Sequence, residues 1–139
     1  MAKGKLTLID HTADTGIDVQ ADSLEELLQT AAQGLILVSF GKTEPGRGKR
    51  TVAEFHEESF EDLVVELLRQ MVLKIETEGV RLYDAVVTEA DMTGCTAYIY
   101  EAPLSSEEEI ETHIKAVTYH RLSLKKQGDM YHIKIIFDI

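Results

Sequence analysis

The sequence predicts an α+β fold, with two long amphipathic helices packed on a mostly antiparallel sheet. Two observations carry this reading. Two long stretches place apolar residues at helical spacing, and at least six others have strand character and are mostly joined as hairpins. A third observation is size. At 139 residues the chain is most simply one domain, 1–139, large enough to bury a core without covalent staples.

The elements follow in order. "LTLID" (6–10) reads as a first strand. "GIDVQA" (16–21) reads as a second, with Ile17, Val19 and Ala21 on one face and Asp18 and Gln20 on the other. The bend "DHTAD" (10–14) separates them. In "SLEELLQTAAQGLILVSFG" (23–41), Ser23 and Glu26 form a capping box. Leu24, Leu27, Leu28, Ala31, Leu35 and Val38 keep helical spacing, and Gly41 is the expected stop. Gly34 inside this helix costs about 1 kcal/mol relative to alanine, which suggests close packing there.

"RTVAEFH" (50–56) is strand-like. "SFEDLVVELLRQMVLKIETEG" (59–79) repeats the helix grammar, with Ser59 as N-cap, an apolar stripe from Phe60 to Ile75 that includes Met71 as core filler, and Gly79 at its end. "VRLYDAVVTEA" (80–90) and "GCTAYIYEA" (94–102) flank a turn around Thr93 and Gly94. "SSEEEIET" (105–112) is an exposed acidic loop. "IKAVTYHRLSLKK" (114–126) and "MYHIKIIFDI" (130–139) flank the hairpin turn "QGD".

Charge narrows the function. The 25 acids outweigh 14 Lys and Arg, a net charge of −11. Such a chain repels nucleic-acid phosphates at long range, so direct RNA or DNA binding is not expected, although a local basic patch could survive. The only concentrated basic run, "KTEPGRGKR" (42–50), reads most simply as a solvated loop. An acidic surface points to metal ions or to a basic protein partner. No apolar run approaches a membrane span and no signal peptide is visible. One cysteine, Cys95, fits a reducing compartment, and the expected location is the cytoplasm.

No catalytic signature emerges, and the chain is not expected to be an enzyme. Cys95 sits in a strand pattern with no motif around it and reads as a buried structural thiol. The glycines near residue 46 lack the context of a phosphate loop, and no histidine or cysteine pair has zinc spacing. His11, His120 and His132, taken singly, read as hydrogen-bonded structural residues.

The C-terminal strand is more informative. Tyr131, Ile133, Ile135 and Phe137 share its core face, so His132, Lys134, Ile136 and Asp138 point away. Asp138 precedes Ile139, whose α-carboxylate is expected to be free at the end of an ordered strand. Hard cations such as calcium and magnesium select oxygen ligands. If the "DHTAD" bend packs beside this strand, Asp14 completes a three-point oxygen site. Otherwise Asp14 organises its own bend by side-chain-to-backbone hydrogen bonds.

These residues resemble a known family. "DHTADTGIDVQAD" (10–22), "SFEDLVVELL" (59–68), "IKAVTYH" (114–120) and the terminal "FDI" are similar, in this order, to the signatures of archease, the protein cofactor of RtcB-type tRNA-splicing RNA ligases. The resemblance implies a strand–helix–strand–strand type of α+β fold. It also implies a divalent-cation site, usually calcium, carried over here onto Asp14, Asp138 and Ile139. It implies a partner ligase whose guanylation and multiple turnover the chain promotes. A second role it leaves open is a chaperone or specificity module for an RNA-modifying enzyme such as a tRNA methyltransferase. Arg121 departs from the pattern, standing where a small or apolar residue is expected, as do Met130 and Tyr131 where tryptophan is common.

Overall fold

A computed structural model describes residues 4–10 and 14–139. The strands are β1 (Lys5–Asp10), β2 (Asp14–Ala21), β3 (Lys49–His56), β4 (Val80–Ala90), β5 (Gly94–Pro103), β6 (Ala116–Val117), β7 (Lys125–Gln127) and β8 (Met130–Asp138). The helices are α1 (Leu24–Phe40) and α2 (Phe60–Glu76). The α+β class and the antiparallel pairing stand as expected, but the strands divide into two sheets. One has the order β1-β2-β8-β6, with β7 also on β8; the other has the order β3-β5-β4.

The helices lie between the sheets. α1 packs on β1, β2 and β8 of the first sheet and on β4 of the second, and α2 packs on the second sheet and on β6. This explains why α1 is apolar nearly all round: Leu27, Leu28, Ala31, Ala32, Leu35 and Ile36 are all buried. Its polar exceptions have partners. Gln29 Oε1 accepts the Val87 N–H at 3.0 Å, and Gln33 Nε2 donates to Asp84 Oδ1 at 3.1 Å and to the Ala85 carbonyl at 3.4 Å. Those amides cover the open edge of β4, whose backbone groups would otherwise be free to pair with another chain.

Both N-caps and the end of α1 form where the sequence places them, whereas α2 closes at Thr77, two residues before the expected Gly79. Ser23 and Ser59 accept the N–H groups of Glu26 and Asp62 at 3.2 and 3.0 Å. Gly41 closes α1 with a left-handed φ of 82° and donates to the Leu37 carbonyl at 2.8 Å. A Cβ on Gly34 would stand 2.9 Å from Leu6 Cδ1 and 3.1 Å from Ile17 Cδ1, so the close packing expected there is real.

Three loops also have clear causes. Asp91 Oδ1 accepts from the N–H groups of Thr93 and Gly94 at 2.9 and 2.8 Å, folding the β4–β5 turn and holding its carboxyl below the usual range. Residues 105–112 are mostly exposed and contain one 3-10 turn, Glu107–Glu109. Within the mostly exposed basic run 42–50, Arg47 pairs with Glu44 at 2.8 Å and Arg50 stacks on Tyr98.

The stretch 114–126 is less regular than its sequence suggests. Only β6 and β7 are strands, and between them the Thr118 hydroxyl donates to the Ile136 carbonyl at 2.9 Å while Arg121 adopts a left-handed φ of 55°.

Gly16 tests the β2–β8 packing. A Cβ there would fall 2.5 Å from the Ile135 carbonyl oxygen, on backbone that cannot step aside. Gly16→Ala is expected to lower stability by about 1–3 kcal/mol in urea unfolding. An unchanged midpoint would contradict this packing.

Candidate metal centre

The pairing of β2 with β8 runs Ala21↔Tyr131 through Ile17↔Ile135 to Asp14↔Asp138. Ile17, Val19, Ile133, Ile135 and Phe137 fill the core side. Asp14 and Asp138 therefore share the opposite face, directly across from one another. Cβ atoms of directly opposed residues lie about 4.5–5.5 Å apart, and like charges so placed destabilise the pair unless something positive joins them.

Asp14 is more constrained than its partner. Among the described residues, its buried Oδ1 atom has no hydrogen-bond partner. A buried carboxylate oxygen left in this state costs about 1–3 kcal/mol or more, which a hydrogen-bond donor or a cation would offset. The neighbouring Thr15 hydroxyl is already committed, donating to the Ile9 carbonyl at 2.6 Å. Asp138 is exposed, while its own carbonyl accepts the Lys115 N–H at 2.7 Å and fixes the strand end. Ile139 is partly buried against the core. Asp14 and Asp138 thus come together as the sequence suggested. His11 lies outside the described residues. Among the described residues, no three Asp, Glu, His or Cys side chains gather as an ion-binding group.

The other candidates separate. His132 Nε2 hydrogen-bonds Asp18 Oδ1 across β8 and β2, a pairing the sequence signalled only by placing both residues on the outer face. His120 is exposed, and its backbone N–H bonds Thr118 Oγ1 at 3.2 Å. Cys95 is buried, and burial, reinforced by the charge of Asp91, pushes its thiol up to about 11. The structural reading of this cysteine stands on that environment. Tyr119 ties the β6–β7 connection to α2 by donating to Asp62 at 2.7 Å, which raises its phenol to about 12.

Fold and site together define a class: a two-sheet α+β domain in which the second and last strands bring two carboxylates face to face. Comparison with known proteins narrows that class. The archease protein family model matches residues 7–139. An archease from Thermoplasma volcanium is 27% identical over 134 residues, covering 95% of this chain and 97% of that protein. One from Thermococcus gammatolerans is 32% identical over 129 residues, covering 86% and 87%. A crystal structure from Thermotoga maritima, described as an archease and possible chaperone, superposes with a TM-score of 0.65 at 25% identity over 94% of each chain. A solution structure from Methanobacterium thermoautotrophicum shares the fold, with a TM-score of 0.62 at 21% identity over 96% of this chain and 98% of that one. The chain belongs to the archease family.

Two outcomes test the site's groups. In the presence of a chelator, Asp14→Asn should unfold no more easily than the wild type, and should gain up to about 1 kcal/mol by removing one of two opposed charges. A clear loss would mean that the carboxylate organises its bend instead. Native Cys95 should resist a disulfide reagent at pH 8 and react once the chain is unfolded. Labelling at the rate of a free thiol in the native state would contradict its burial.

Proposed function

We propose that this chain activates an RtcB-type RNA ligase in tRNA splicing, promoting guanylation of the ligase and letting it turn over repeatedly. Family membership supports a protein-cofactor or chaperone-like role. The observation that carries the finer reading is the register pair Asp14↔Asp138, in which the buried Asp14 Oδ1 has no hydrogen-bond partner among the described residues. In this reading Asp14, Asp138 and the α-carboxylate of Ile139 hold a divalent cation, calcium being the best match to an all-oxygen donor set. When bound, the ion supplies coordination positions that a partner's oxygen can fill. Asp14 anchors the site from its half-buried position, and the exposed Asp138 presents the second carboxylate at the surface.

Electrostatics supplies the encounter. A chain of net charge −11 is drawn to the basic, RNA-binding mouth of a ligase. This attraction speeds association and weakens as salt rises. Among the described residues no helix is long and apolar enough to cross a membrane. A second reading, a chaperone or specificity module for another RNA-modifying enzyme, draws on the description of the Thermotoga maritima relative as a possible chaperone.

Substoichiometric wild-type protein should stimulate GMP transfer onto a purified ligase, and Asp14→Ala or Asp138→Ala should remove most of the stimulation. No stimulation of an active ligase by folded protein would favour the second reading. Separately, calcium should raise the melting temperature of an untagged chain, by about 2.7 kcal/mol of stability at a hundredfold excess over its dissociation constant. Asp138→Ala should abolish that gain. An equal gain in wild type and variant would place the ion elsewhere.

A further inference from the structure

The outer face of the first sheet carries a second feature, of opposite sign. Arg121, Ser123, Lys125, His132 and Lys134 line a cavity of about 220 Å³. We propose that this cavity binds a tetrahedral phosphate group, as inorganic phosphate or as the end of a small phosphomonoester. The proposal stands independently of the ligase reading and of the metal centre.

Strand geometry builds the cavity. His132 and Lys134 alternate with the core residues Ile133 and Ile135, so both project outward. β7 pairs with β8 as Lys125↔His132 and Lys126↔Tyr131, which sets Lys125 beside His132. Lys126 takes the other side, where its ammonium lies 5.0 Å from the Tyr131 ring centroid. Arg121 and Ser123 come from the connection between β6 and β7. That connection is tethered: Tyr119 bonds Asp62, the Leu124 N–H donates to Glu61 Oε2 at 2.8 Å, and Leu122 and Leu124 pack on the core. The left-handed backbone of Arg121 is uncommon for a residue of this size and sits within these restraints.

The charges gathered here lack counterparts. Among the described residues, Arg121, Lys125 and Lys134 form no ion pair. Two nearby acids are already engaged: Asp18, opposite Lys134 in register, by His132, and Glu61 by the Leu124 N–H. Like charges set side by side on a sheet face repel one another, and an anion held between them relieves that repulsion. A guanidinium fork, two ammonium groups and a hydroxyl are the donors that hold a tetrahedral oxyanion. The lining has no Phe, Tyr or Trp ring on which a base could stack, and its one imidazole, His132, is engaged by Asp18; the overall charge repels long polyanions. A small phosphate is therefore the fitting ligand, rather than a nucleic-acid strand.

The test is titration of the full chain with inorganic phosphate at constant ionic strength, followed by backbone and His132 ring NMR shifts. Glycerol phosphate serves as a second probe and acetate as a control. Saturable shifts confined to this cavity are expected with phosphate and not with acetate. Lys134→Gln should weaken binding about tenfold, and Lys126→Gln should leave it unchanged. Binding of glycerol phosphate as well would assign the site to phosphomonoesters, and binding of inorganic phosphate alone would assign it to the free ion. Shifts that fail to saturate, appear equally with acetate, or weaken equally in both variants would overturn the proposal. If Lys134→Gln fails to fold, Lys125→Gln, with its exposed side chain, is read by the same criteria.

Discussion

The register of β2 against β8 is the constraint on which the rest depends. β8 is the hub of its sheet, pairing with β2 along one edge and with β7 and β6 along the other. Because strand side chains alternate, a slip of one residue would carry Ile133, Ile135 and Phe137 out of the core and send Asp138 in. The cost of exposing three large apolar side chains, about 1.5–3 kcal/mol each, makes such a slip prohibitive. The same apolar residues that fix the register therefore force Asp14 and Asp138 to face one another. The carboxylate pair is an obligatory result of core packing, held in place by residues that have no chemistry of their own.

Packing also explains how two sheets share one interior. α1 fills the space between β2 and β4, and its apolar surface reaches both. Where α1 meets the edge of β4, a purely apolar contact would leave backbone groups without partners. Gln29 and Gln33, one turn apart on the helix, supply the missing hydrogen bonds. Arg81 performs a related task beyond the end of α1. Its buried guanidinium lies 4.0 Å from the centroid of the Phe40 ring, donates to the Leu82 carbonyl at 2.6 Å and pairs with Glu44 at 3.2 Å. Glu44, within the run 42–50, is thereby anchored to the end of the core.

Local features were legible in the sequence because their causes are local. Ser23 and Ser59 cap helices through atoms three residues away, and the alternation of Ile17, Val19 and Ala21 needs no knowledge of the remaining chain. Strand order is different. Alternation says which face a residue occupies, not which sheet its strand joins, so a single sheet and two sheets look alike. The meeting of Asp14 and Asp138 spans nearly the whole chain, and resemblance to a family suggested it where periodicity could not. His132 read singly is an ordinary histidine; only the pairing of β2 with β8 supplies Asp18. The stretch 114–126 looked continuous because its apolar residues alternate, but the Thr118 hydroxyl and the Leu122 N–H, which bonds the Tyr119 carbonyl at 3.1 Å, turn the chain away after β6. The cationic cavity escaped notice for a related reason. Its members come from β7, β8 and the connection before them, and none of these segments is strongly basic alone.

The outer face of β8 is thus electrically divided. His132 and Lys134 lie toward its start and Asp138 at its end, with the buried Ile136 between them. Four residues of extended strand separate Lys134 from Asp138 by about 13 Å, longer than the Debye length of about 8 Å at physiological salt. The two charge centres are consequently screened from each other in solution while both remain fixed on one rigid strand. A partner approaching this face meets a negative end and a positive end in a set order and spacing. That arrangement selects one docking orientation over its reverse, because the reverse would bring like charges together at both ends.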